Sequence, residues 1–240
     1  MIIITPVPNL QDNYAWLLRD SATGATAIVD PAEPEPVAAA IDANGGRLDL
    51  ILLTHHHGDH IAGTDAIRAR YGARVVGARA DIHRLPRLDT AVGEGDSVAL
   101  GQSVGQVFDT PGHTRGQVAY YFPDGGVLIC GDTLFSLGCG RLLEGTPAEM
   151  FASLRRFAAL PPETLVCCGH EYTENNARFA LDADPGNAAL QAYVAKVKAL
   201  RGEKKPSVPS RLGDELAANP FLRAADVASF ADLRARKDTF

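Results

Sequence analysis

Through the first 170 residues, short apolar runs alternate with stretches of helical periodicity; beyond that point only helical patterns remain. MIIIT (1–5), YAWLL (14–18) and TAIVD (26–30) predict three opening strands. The apolar run LDLILLT (48–54) has the look of a strand buried on both faces. ARVVGA (73–78), DSVAL (96–100), QSVGQVFDT (102–110), QVAYYF (117–122), GVLICG (126–131) and TLVCCG (164–169) predict further strands, punctuated by Gly, Pro and Asp. A helix is predicted over 34–45, with Pro in its first turn and Gly after its end, and a second over 60–72, closed by Gly72. A third runs over 146–160. Thr146, Pro147 and Glu149 spell a capping box there, and Met150, Phe151, Leu154, Phe157 and Ala158 share one face.

After His170, residues 171–184, 186–202, 210–221 and 226–240 predict helices or turns, with KKPSVPS (204–210) as a loop, and no strand is predicted. The chain is therefore expected to be a mixed α/β domain over 1–172 followed by a small helical domain over 173–240. Its 240 residues suffice for a real core. No short repeat and no low-complexity segment interrupts this order.

Charge and cysteine usage narrow the setting. The balance of 23 basic against 29 acidic residues gives −6, which argues against a nucleic-acid partner. No apolar run approaches the ~20 residues of a membrane span, and the first residues lack the features of a signal or transit peptide. Cys130, Cys139, Cys167 and Cys168 form no CxxC pair, so thiols in a reducing cytosol are expected. No hydrophobic assembly stripe is evident, and a monomer is the expectation.

Chemistry concentrates at strand ends. THHHGDH (54–60) holds four of the seven histidines. QVFDTPG leads to His113, GVLICG to Asp132 and TLVCCG to His170. Strand ends on one side of a sheet converge, so His55, His57, Asp59, His60, His113, Asp132 and His170 are candidates for one cleft. Seven donors exceed the needs of a single ion but suit two ions with a shared carboxylate. Imidazole and carboxylate without thiolate favour zinc, with iron or manganese as alternatives. His55 and His57, two apart in an extended stretch, point the same way. They are assigned with His113 to one ion; Asp59, His60 and His170 go to the other, and Asp132 bridges. His56 should point away and serve hydrogen bonding or packing. Asp30 either orients a ligand or only makes the turn before Pro31. His83 is expected to be structural.

THHHGDH, TPGHT, CGD and CGHEYT together resemble the metal motifs of the metallo-β-lactamase superfamily, over essentially residues 1–172. The resemblance implies an αββα sandwich with a dinuclear site at one edge. LFSLGCGRLLEGTPAEM, GHEYTENNARFA, ELAANPFLR and RARKD resemble the glyoxalase II (hydroxyacylglutathione hydrolase) family, and that likeness extends nearly to the C-terminus. It implies that Arg141, Tyr172, Arg234 and Lys237 bind glutathione. Leu143 stands where eukaryotic members usually carry Tyr. Arg234 and Lys237, three apart, share a helix face.

The resemblance implies hydrolysis of S-(2-hydroxyacyl)glutathione, chiefly S-lactoylglutathione, in methylglyoxal detoxification. Metal would lower the pKa of water from about 15.7 toward ~7, with Asp59 and Asp132 orienting the resulting hydroxide. The rivals are a glutathione persulfide dioxygenase with a single iron, another hydrolase of the same fold, and a non-catalytic metal-binding protein.

Overall fold

The opening apolar runs pair with one another as their patterning requires. The computed structural model describes residues 1–240. Two compact units emerge: Met1–Asp109 with Gly116–Gly131, and Thr110–Arg115 with Asp132–Phe240.

In the first unit, β1 (Ile2–Asn9) and β2 (Asn13–Asp20) form an antiparallel hairpin, and β3 (Thr26–Val29) pairs antiparallel with β2. Helix α1 (Pro34–Ala43) starts on Pro34 and leads to β4 (Leu50–Leu52), which runs parallel to β3. Helices α2 (Gly58–Ile61) and α3 (Thr64–Tyr71) lead to β5 (Arg74–Ala78), and β6 (Thr90–Val92) completes the sheet in the order β1-β2-β3-β4-β5-β6. Every residue of β3 and β4 is buried, as the unbroken apolar pattern requires. Strands β7 (Ser97–Leu100), β8 (Ser103–Asp109), β9 (Val118–Phe122) and β10 (Val127–Gly131) pair antiparallel in chain order.

Residues 60–72 differ from the single helix predicted. The helix breaks between Ile61 and Thr64 because the Gly63 amide donates to the Pro31 carbonyl instead of extending the first turn. A side chain at Gly63 would collide with the backbone of residues 31–32, so the glycine permits that approach. Gly72 caps α3 in the left-handed conformation, as predicted.

In the second unit, β11 (Leu134–Phe135) and β12 (Gly138–Cys139) make a tight hairpin through Leu137, at φ 56°. Helix α4 (Pro147–Ala158) carries the predicted capping box in full. Strand β13 (Leu165–Cys168) is followed by α5 (Thr173–Ala183) and α6 (Ala188–Gly202), then β14 (Ser210–Arg211), α7 (Leu212–Ala218), α8 (Pro220–Arg223) and α9 (Val227–Thr239). Strand β14, where only helix or turn was predicted, pairs antiparallel with β13. Phe179, Phe221 and Phe230 are almost wholly buried among these helices, each worth roughly 1.5–3 kcal/mol. Glu215 pins the hairpin to them: its carboxylate accepts from the Leu137 amide (2.8 Å), Asn219 (3.1 Å) and the Tyr193 hydroxyl (3.1 Å). Burial pushes the Glu215 carboxyl above its usual range. No helix is long and apolar enough to cross a membrane.

Candidate metal centre and substrate cleft

The first unit holds the crowded histidine stretch. Strand β4 ends at Leu52, and the next two residues anchor the turn: the Tyr120 hydroxyl donates to the Leu53 carbonyl (2.8 Å) and the Val118 amide to the Thr54 carbonyl (2.9 Å). Asp30 braces the stretch from the end of β3. Its carboxylate accepts from the Thr54 amide (2.8 Å) and hydroxyl (2.6 Å) and lies 3.0 Å from His60 Nδ1. The sequence left two roles open for Asp30, and it fills both: φ is 50° at the turn before Pro31, and the carboxylate orients His60.

Thr54 Oγ1 gives its proton to Asp30 and so accepts from His55 Nδ1, 3.0 Å away. His55 Nε2 stands 3.0 Å from His57 Nδ1, which fits two neighbouring donors on one side of the strand end. His57 is the N-cap of α2, so Asp59 and His60 lie in its first turn; Asp59 Oδ2 is 3.7 Å from His60 Nε2. Asn13 donates to Asp59 (3.0 Å). His56 turns away, as expected, and its Nδ1 meets Asp81 (3.0 Å), a buried carboxylate also held by Arg84. His83 is exposed.

In the second unit, one oxygen of Asp132 lies between two imidazoles, 3.5 Å from His113 Nε2 and 3.4 Å from His170 Nε2. His113 Nδ1 is fixed on the Arg141 carbonyl (2.9 Å). All three side chains are buried. Gly140 lies so close that an added Cβ would strike the Asp132 carbonyl. His55, His60 and His113 are thus each tied to the protein through Nδ1, the arrangement by which metal-binding histidines are held to present Nε2. In each unit the imidazoles and carboxylates thus have the chemistry and ring orientation that suit a metal ion. All four cysteines are buried and none is in a disulfide, and burial raises the thiols of Cys139 to about 11 and Cys168 to about 12.

A cleft of about 500 Å³ in the second unit includes His113 and Asp132 in its lining, together with Arg141, Tyr172, Arg234 and Lys237. Tyr172 stacks on His170 (centroids 4.5 Å apart, planes 9° apart) and meets Phe135 edge-on at 5.3 Å. Lys237 Nζ sits over the rings of Phe179 (5.3 Å) and Phe240 (5.5 Å) and donates to the Asn175 carbonyl. Burial, with help from the guanidiniums of Arg234, Arg178 and Arg141, brings the Lys237 ammonium down to about 8. Arg234 is buried, donating through Nη1 to the Cys139 carbonyl (2.9 Å) and through Nη2 to Asp238 (2.9 Å). Leu143 is exposed at the cleft. Sequence reasoning missed Phe135, Asn175 and Asp238, which line the cleft. Asp238 directly follows Lys237 in RARKD, and its i,i+4 spacing from Arg234 was the one available signal.

Residues 9–170 match the model of the metallo-beta-lactamase superfamily, and residues 171–240 that of the hydroxyacylglutathione hydrolase C-terminus. A hydroxyacylglutathione hydrolase of Acidiphilium cryptum is 57% identical over 237 residues, spanning 99% of this chain and 96% of its own. Among solved structures, ETHE1 from Myxococcus xanthus superposes with a TM-score of 0.72 at 27% identity, covering 97% of this chain and 90% of that one. The protein TTHA1623, solved in a di-iron-bound form, gives 0.59 at 30% identity, covering 70% and 91%.

Proposed function

The chain belongs to the metallo-β-lactamase superfamily and within it to the hydroxyacylglutathione hydrolases, and we propose that two metal ions held by its histidines and aspartates serve hydrolysis of S-(2-hydroxyacyl)glutathione, chiefly S-lactoylglutathione. It is a hydrolase with the metallo-β-lactamase fold and a helical C-terminal segment, as its sequence led one to expect. The observation that supports the two-ion reading is the single Asp132 oxygen set between His113 and His170, where a carboxylate could be shared. His55, His57 and His113 would hold one ion, Asp59, His60 and His170 the other. Zinc suits this donor set best, with iron or manganese as alternatives; the di-iron form of TTHA1623 is in keeping with two ions.

Bound metal supplies Lewis acidity, which lowers the pKa of water from about 15.7 toward ~7 and polarises an acyl carbonyl. The chain's own residues supply the rest. Asp59 and Asp132 accept hydrogen bonds from the attacking water and aim its lone pair. Asp30 and Thr54 keep His60 and His55 in the required ring orientation. Arg141 and Lys237 offer positive charge to the glutathione carboxylates, Tyr172 a ring face and a hydroxyl, and Arg234 the buried floor of that grip. The departing thiolate needs little protonation. In this reading residues 1–172 form the catalytic domain and 173–240 the substrate-binding one, and the chain works as a monomer in a reducing cytosol, in keeping with four buried cysteines outside any disulfide.

Purified protein should release free thiol from S-lactoylglutathione, carry two metals per chain and lose turnover on chelation. A chain loaded with two metals that releases no thiol would sink the reading. Oxygen uptake with one iron per chain would favour the persulfide dioxygenase instead.

A further inference from the structure

The cleft of the second unit contains an anion of its own. Asp238 lies in the last turn of α9, and the same oxygen, Oδ1, faces two guanidiniums: Arg234 Nη2 at 2.9 Å and Arg141 Nε at 3.9 Å. Its side chain is 43% exposed and that of Arg141 70%, whereas Arg234 is only 5% exposed. Two of these three groups can therefore move while the third cannot.

The position is an odd one for a carboxylate. The C-terminal end of a helix carries partial negative charge, which disfavours Asp and favours Lys or Arg. The dipole does not call for Asp238; its partners are Arg234, one turn back on the same helix, and Arg141, both of which line the cleft with it. Arg234 Nε is buried without a hydrogen-bond partner, so only its Nη edge can meet a ligand, and that edge is engaged. Nη1 is taken by the Cys139 carbonyl, its guanidinium stacks over Phe221 at 5.2 Å, and Nη2 faces Asp238. A ligand carboxylate reaches that guanidinium by replacing Asp238.

We propose that Asp238 is an internal stand-in for a substrate carboxylate: it occupies the anion position beside Arg234 and Arg141 in the ligand-free chain, yields it on binding, and so sets the selectivity of the cleft for carboxylate-bearing ligands. This rests on the reading of the cleft as a glutathione site. A neutral ligand gains nothing from displacing Asp238. A carboxylate of matching placement inherits both arginines, and the freed Asp238 side chain turns to water at low cost because it is already half exposed. The exchange of one exposed carboxylate for another is small in energy, so it tunes affinity rather than abolishing it.

The test measures calorimetric binding of S-methylglutathione, an inert thioether, and of its diamide, in which both carboxylates are neutral. Binding is compared in the parent chain, Asp238→Asn and Asp232→Asn, at pH 6.5 where Lys237 stays protonated. Asp232 sits on the same helix but pairs with Arg236, so its variant reports the effect of removing a negative charge in general. The expected result is a Kd about 2- to 5-fold lower for the diacid in Asp238→Asn, no change for the diamide, no comparable change in Asp232→Asn, and an unaltered thermal midpoint. Weaker binding of both ligands with a lowered midpoint would mean that Asp238 merely braces Arg234, and overturns the proposal. So does an unchanged Kd, or an equal gain for the diamide. Failure of the parent chain to bind S-methylglutathione at all would overturn the glutathione reading itself, and this inference with it.

Discussion

The histidine stretch of the first unit and the cationic rim of the second each lean on a carboxylate, Asp30 in one and Asp238 in the other, used to opposite effect. At the histidines the partners immobilise. His55 and His60 are buried, and each is fixed through Nδ1 by a group that is itself held: Thr54 by Asp30, and Asp30 by the turn before Pro31. At the rim the partners are exchangeable. Arg141 is mostly exposed with a long 3.9 Å ion pair, and Lys237 leans on two ring faces and a 3.3 Å hydrogen bond. Donors for a small, hard-to-place ion must be positioned before it arrives. Groups that grip a flexible tripeptide gain from yielding, since their interactions are made anew at each turnover.

The contrast breaks most visibly at Asp132, the carboxylate set between two imidazoles. Asp132→Ala is expected to abolish turnover and to lower the metal content below two per chain, read by elemental analysis beside the thioester assay. A variant that keeps both metals and its activity would remove Asp132 from the centre. Next in size comes Asp30→Asn, which touches no substrate. The loss of one carboxylate oxygen as acceptor for Thr54 and His60 should reduce metal affinity or kcat about 10- to 100-fold, the usual cost of removing a group that orients a ligand. An effect on KM alone would show that the buried bracing has no part in the chemistry.

How much of this could be read from the chain follows the same divide. The histidine stretch was legible because its chemistry is contiguous: five ligand-type side chains in six positions need no partner from afar to be noticed. The capping box of α4 was legible for the same reason. What escaped depends on residues distant in sequence. The break between α2 and α3 is made by the Pro31 carbonyl, β14 exists only through pairing of Ser210 and Arg211 with Val166 and Leu165, and Leu137 is held in its unusual conformation by Glu215. A two-residue strand after a proline-rich loop has no periodicity to betray it. Arg234 was found by likeness to a family motif, yet neither its burial nor its bond to the Cys139 carbonyl was visible in RARKD.

Lys237 sharpens the comparison from the other side. Its ammonium titrates near 8, well below an ordinary lysine, because burial and three guanidiniums oppose the charged form. The sign follows directly: the charge is full at pH 6.5 and fades as pH passes 8, so KM for the thioester should rise between pH 7 and 9 while this group leaves kcat unchanged. Lys237→Arg should flatten that rise, because a guanidinium stays charged throughout. Lys237→Ala should raise KM about tenfold, the worth of a charged hydrogen bond of roughly 1.5 kcal/mol. A pH-independent KM in the parent chain would show that the rim does not depend on this lysine.

The smallest effect is expected where neither region is touched. Thr146 accepts from the Glu149 amide and Glu149 from the Thr146 amide, closing the first turn of α4. The pair leaves the Glu149 carboxyl below its usual value, with the Thr146 hydroxyl as the largest cause. Thr146→Ala should cost about 1 kcal/mol of stability in denaturant unfolding, since a helix amide loses its acceptor, with kcat, KM and metal content unchanged. Position 146 nevertheless belongs to the same compact unit as His113 and Arg141. If weakening the cap altered KM but not metal content, the rim would be the softer region, and exchangeability would extend from its side chains into the helices that carry them. If metal content fell first, the centre would be the part that depends on the whole unit staying rigid, and the contrast between fixed donors and yielding grip would have to be redrawn.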